Sequence, residues 1–115
     1  MKKYPVQTKG FRIAEFKDIS VFREKMKNFD VRSIECTDHT FFRLSEKQRK
    51  EFTCDALKSF LLNDIPLKVG IQVNSNYAVY YKYAENRVLK IVMAFRPTLI
   101  RIVTFKILDK NQLPR

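Results

Sequence analysis

The chain has 115 residues, of which 45% are hydrophobic, 13% aromatic and 30% charged, with only two glycines and four prolines. That composition excludes a disordered tail, a collagen-like chain and a low-complexity linker, and the length allows one ordinary domain, residues 1–115. Twenty-three Lys and Arg against twelve Asp and Glu leave a net charge of +11, which favours a polyanionic partner, RNA or DNA first.

The excess is uneven. Residues 1–36 carry nine positive and five negative charges, residues 37–65 five of each, and residues 66–115 nine and two. No stretch approaches the roughly 18 apolar residues of a membrane span, so no membrane partner is expected. Met1-Lys2-Lys3 has the charge of a signal-peptide start, but Tyr4 to Phe16 supplies no apolar run. The expectation is a cytoplasmic protein.

In chain order, residues 11–16 partly alternate and read as a short strand. Asp18 is placed to cap a helix whose Ile19, Phe22 and Met26 share one face. Residues 31–36 read as either a short strand or an extended linker. From Thr37 to Asn63 the signal is helical, with Ser45-Glu46-Lys47-Gln48 fitting a capping box at which a helix restarts. Phe52, Ala56, Leu57, Phe60 and Leu61 then form a core stripe at helical spacing, and Pro66 stops it. Cys36 and Cys54 stand eighteen residues apart without a paired motif. A metal site on Cys36, His39 and Cys54 would need Asp38 or Asp55 as its fourth ligand. Two reduced thiols, with no metal and no cofactor, are expected instead.

Beyond Pro66 the period becomes two. Residues 67–73, 77–83, 88–95 and 99–108 read as four strands joined by segments too short for anything except antiparallel neighbours. The expected architecture is α+β, with N-terminal helices packed on one face of a four-stranded antiparallel meander. Parity assigns Leu67, Val69, Ile71, Val73, Val79, Tyr81, Tyr83, Leu89, Ile91, Met93, Phe95, Leu99, Val103, Phe105 and Ile107 to the core face, with Arg101 as an exception. The opposite face collects Lys68, Gln72, Tyr80, Lys82, Lys90, Thr104 and Lys106, together with Val88, Val92, Ile100 and Ile102. Such a surface holds phosphates by charge and a base by stacking. The competing reading is an ordinary solvated sheet face.

The order of motifs resembles the barnase–EndoU–colicin–RelE-like group of small ribonucleases and toxins. The residues concerned are His39-Thr40-Phe41-Phe42-Arg43, the helical stretch 52–62, Tyr77-Ala78-Val79-Tyr80-Tyr81 and Ile102-Val103-Thr104-Phe105. The likeness spans residues 37–108 and leaves residues 1–36 outside as an N-terminal strand and helix extension. It implies metal-independent RNA cleavage through attack of the 2′-hydroxyl. As partners it implies RNA and an acidic antitoxin protein or the ribosome.

Cleavage of this kind requires deprotonating the 2′-hydroxyl, stabilising a phosphorane and protonating the leaving oxygen. His39 is the one side chain that titrates near neutrality unaided, and so is the acid/base candidate, unless it merely caps a helix beside Asp38. Arg43, one helical turn on, would grip a phosphate oxygen, and Thr104 would orient it. The RNA-binding candidates are Lys47, Arg49, Lys68, Tyr80, Lys82, Lys90, Arg96 and Lys106. Tyr80 stacks a base or packs across strands, and Arg96 reaches the groove edge or is solvated. One histidine leaves the second proton transfer to a Lys or Arg. The alternative is a non-catalytic RNA- or DNA-binding module using the same basic face.

Overall fold

A computed structural model describes residues 12–37, 40 and 51–114. His39, Arg43, Lys47, Arg49 and the expected capping box at Ser45 lie outside them. Strand β1 (Ile13–Lys17) leads into helix α1 (Ile19–Met26). The carboxylate of Asp18 accepts the Ser20 backbone N–H at 2.8 Å, which starts the helix. Phe22 and Met26 are buried and Ile19 is partly so. A 3-10 turn, Val31–Ser33, capped by Asp30, delivers the chain to β2 (Ile34–Cys36). The open choice between strand and linker thus resolves as a turn followed by a strand.

Helix α2 (Cys54–Asn63) starts later than the continuous stripe implies. The Thr53 hydroxyl accepts the Ala56 backbone N–H at 3.1 Å, so Phe52 precedes the helix although its ring is buried in the core. Then come β3 (Lys68–Gln72), β4 (Tyr77–Ala84), β5 (Arg87–Phe95) and β6 (Ile100–Asp109), the expected antiparallel meander.

The class is α+β, but the sheet has six strands and not four, in the order β1-β3-β4-β5-β6-β2. β1 pairs antiparallel with β3, and β2 pairs parallel with β6. Both outer strands therefore come from residues 13–36. Their short runs carry little periodicity of their own, and the hydrogen-bonding edges of β3 and β6 are what define them.

Helices α1 and α2 bury one face of the sheet. Val69, Val79, Ile91 and Phe105 form a cross-strand row beneath them, with Tyr81, Leu89 and Ile107 beside it. Phe22 meets Tyr77 and Phe95, while Phe60 meets Tyr81 at 5.5 Å between ring centroids.

The parity assignment fails at three strand ends, where Leu67, Val73 and Tyr83 are exposed beyond the reach of the helices, and over one stretch of β6. The β5–β6 register shifts between Val92 and Met93: Val92 faces Thr104, but Met93 faces Ile102, leaving Val103 as the extra residue of a bulge. Ile100 and Ile102 therefore enter the helix-covered core, where parity counted from the end of β6 places Leu99 and Val103. The same shift removes the Arg101 anomaly. Arg101 faces away from the core and binds Glu35 of β2 at 2.6 Å.

The reduced-thiol expectation is also corrected. Cys36, the last residue of β2, is bonded to Cys54, the first of α2, with α-carbons 6.1 Å apart. That separation suits a disulfide. The pairing joins a strand end to a helix start, and a spacing of eighteen residues carries no sign of it. With the two sulfurs bonded to each other, a metal site on Cys36, His39 and Cys54 has no thiolates.

Candidate nucleic-acid interface

The sheet face turned away from the helices is built from two cross-strand rows. Lys68 lies opposite Tyr80, Tyr80 opposite Lys90, and Lys90 opposite Lys106. One step along, Gly70, Ala78, Val92 and Thr104 form the next row, flanked by Gln72. Adjacent strands lie about 4.8 Å apart, so the three lysines of the first row span roughly 14 Å. Lys82 shares this face one step beyond Tyr80.

The charges here are left uncompensated. Elsewhere Lys17 pairs with Glu15, Lys27 with Glu24, Arg32 with Asp30 and Arg87 with Asp109, and at the β6–β2 edge of this face Arg101 pairs with Glu35. Among the described residues, Lys68, Lys82, Lys90 and Lys106 have no carboxylate partner; β3 to β6 place no Asp or Glu on this face, and Glu35 of β2 is held by Arg101. Burial and the neighbouring Lys106 charge pull the Lys90 ammonium below the ordinary lysine range. An anion bound between the two lysines would relieve both effects.

The face is not open along its whole length. Ala78, Tyr80, Val88 and Leu108 form a second, smaller apolar cluster. Ile13 of β1 and Leu113, just beyond a C-terminal 3-10 turn (Lys110–Gln112), pack against it. Gly70 makes room for Ile13: a β-carbon there would stand 3.0 Å from Ile13 Cγ2. Tyr80 is only 2% exposed, with Lys90 Nζ 5.8 Å from its ring centroid. Its ring takes the cross-strand packing role and offers no free face to a base. Lys68 lies over the Phe16 ring at 4.4 Å.

The uncovered part forms a cavity of about 270 Å³, lined by Gln72, Asn76, Lys90, Val92, Val103, Thr104 and Lys106, among others. Thr104 is exposed, and Lys106 beside it is too. Gln72 is 2% exposed, yet its side-chain Oε1 has no hydrogen-bond partner. The β3–β4 turn holds it there: the Gln72 N–H donates to the Asn76 carbonyl at 2.8 Å, and Ser75 adopts φ 75° between them. Sequence reasoning placed Gln72 on this face without naming it a binding candidate, and passed over Asn76. The visible signal was a polar residue sharing the parity of Lys68 just before an Asn-Ser-Asn turn.

Arg96 is placed elsewhere. It lies in the β5–β6 connection with Lys25, Asn28 and Phe29, at the C-terminal end of α1 on the helix side of the sheet. Of the expected site residues in the described chain, Lys68, Lys90, Thr104 and Lys106 are brought together, Lys82 is adjacent, Tyr80 is covered and Arg96 is remote. Among the described residues no group of His, Cys, Asp and Glu is arranged to hold a metal, and no helix is long and apolar enough to cross a membrane. No family model, characterised protein or solved structure matches this chain.

Proposed function

We propose that the protein binds single-stranded RNA on the sheet face opposite the helices, with Lys68, Lys82, Lys90 and Lys106 meeting its phosphates. One observation carries this reading. These four cations have no carboxylate partner, and Glu35, the acid that β2 adds to this face, is taken by Arg101. The half-buried Lys90 ammonium beside the exposed Lys106 is costly without a counter-charge. A polyanion supplies that charge and releases its own counterions in doing so.

Metal-independent endonucleolytic cleavage is the more specific form of the proposal. It rests on the resemblance through His39 and Arg43, and one placement favours it: the exposed Thr104 hydroxyl lies one step from Lys90 and Lys106, where a phosphate would sit. In that form His39 moves the proton, Arg43 and Thr104 hold the phosphate, and an acidic antitoxin protein or the ribosome is the further partner. A disulfide is rare in a reducing cytoplasm, so a cytoplasmic working form carries Cys36 and Cys54 as thiols.

The test has two readouts on the full chain. Affinity for a single-stranded oligoribonucleotide, measured across a salt series, is expected to fall with a log–log slope of about −3 for four phosphate contacts. A flat salt response would sink the lysine face. Cleavage of the same RNA with EDTA present is expected to be lost in His39→Ala by a factor of about 10² to 10⁴, with affinity retained. Binding without any cleavage by the unaltered protein would leave the non-catalytic module.

A further inference from the structure

Three features of the lysine-face cavity ask for different things from whatever fills it. Lys90 and Lys106 ask for negative charge. The buried Gln72 Oε1 is a hydrogen-bond acceptor with no donor, and an unmade buried bond of this kind costs free energy until something donates to it. Val92 and Val103 offer apolar walls, Val103 because the bulge takes it out of the strand ladder. A bare phosphate meets only the first demand and is repelled by the Gln72 oxygen. An apolar ligand meets only the third. At about 270 Å³ the space is below the usual range for drug-sized ligands, so the group is small.

We propose that this cavity takes one unstacked nucleotide of the bound strand. The base lies against Val92 and Val103 and donates an N–H to Gln72 Oε1. Its phosphate rests between Lys90 and Lys106 with the Thr104 hydroxyl donating to it. This rests on the reading of the lysine face as a nucleic-acid surface and adds to it a site that senses the base. Lys68 and Lys82, outside the cavity, contribute charge alone. The interface is thus divided between a sequence-blind lysine row and one pocket that requires a base.

The experiment compares two oligomers of equal length and charge by fluorescence anisotropy, one an ordinary oligoadenylate and the other an abasic sugar–phosphate chain. Ribo and deoxyribo versions of the first decide which sugar the pocket accepts. The wild-type chain is expected to bind the base-bearing oligomer about tenfold more tightly, and Gln72→Leu to erase most of that advantage without changing the salt slope. Thr104→Val, at an exposed position where the fold is not at stake, should weaken both oligomers a few-fold. Equal affinity of wild type for the two oligomers, or an unchanged preference in folded Gln72→Leu, would overturn the pocket and leave the lysine face standing. Failure of both oligomers to bind at low salt would overturn the lysine face itself.

Discussion

Ile91 and Lys90 are neighbours in β5, yet one is fully enclosed beneath two helices and the other stands half-buried between Tyr80 and Lys106. The two faces of the sheet share every strand and every ladder hydrogen bond, so they differ only in what side-chain parity delivers. Parity gives the helix side a continuous apolar row and the other side a row of ammonium groups on a thin apolar floor. Each face also keeps one buried polar atom without a partner, the Tyr81 hydroxyl on the helix side and Gln72 Oε1 on the lysine side. Their surroundings separate them. Tyr81 is closed in by core side chains, whereas Gln72 borders a cavity. A missing partner in a closed core is a cost of packing, whereas one at a cavity is within reach of a donor from outside.

The largest expected effect comes from altering these two neighbours in turn. Ile91→Ala removes a side chain from a site with no exposure and should cost about 2–5 kcal/mol of folding stability. Lys90→Met keeps the apolar stem over Tyr80 and deletes a half-buried charge that Lys106 repels. Its stability should stay within about 0.5 kcal/mol of wild type or rise, while RNA affinity falls several-fold. Urea unfolding and oligonucleotide binding on both variants measure the contrast. Equal destabilisation by the two substitutions would mean that the lysine face is a second structural core, and the comparison would break.

Next in size is the disulfide. By the loop-entropy account, closing a loop of this length is worth about 3 kcal/mol. Reduction, or Cys36→Ser with Cys54→Ser, should lower the melting temperature accordingly. Neither cysteine is on the lysine face, so RNA affinity of the folded, reduced protein should match that of the oxidised one. Loss of binding on reduction would tie the interface to the chain segment between Cys36 and Cys54 and shift attention to His39 and Arg43.

How far the sequence disclosed all this depends on the range of each interaction. The α1 cap, the α2 stripe and the four strands of the meander are legible because Asp18, Phe60 and the alternation around Tyr80 act over a few residues. The lysine row is legible for the same reason: Lys68, Lys82, Lys90 and Lys106 share a parity, and short turns fix the register between strands. What the sequence hides is non-local. The bulge at Val103 inverts parity for Ile100 and Ile102, and its traces beforehand were Arg101 standing where a core residue was due and those two isoleucines on the polar face. The pairing of β2 with β6, the Cys36–Cys54 bond and the covering of Tyr80 near Ile13 and Leu113 arise from segments distant in the chain. Gln72 becomes informative only when its burial and its unpartnered oxygen are known together.

The smallest effect sharpens the comparison most, because it isolates the two orphaned polar atoms from everything else. Tyr81 is 1% exposed, and burial, with Asp64 nearby, holds its phenol protonated far above the ordinary range. Its hydroxyl has given up water without gaining a partner. Tyr81→Phe keeps the ring against Phe60 and removes only that group. The expected result is a gain of about 1 kcal/mol, since the desolvation cost of an unmade hydrogen bond exceeds the loss from the small void left behind. RNA affinity should be unchanged, because the ring points away from the lysine row. Gln72→Leu should bring a similar gain in stability for the same reason, but with the loss of base preference that Tyr81→Phe does not show. Matched denaturation curves and matched binding isotherms for the two variants decide it. Two gains in stability with only one change in binding is the outcome that distinguishes a packing defect from a binding site. If Tyr81→Phe instead destabilises, the hydroxyl has a partner, and Gln72 is the sole orphan of the sheet.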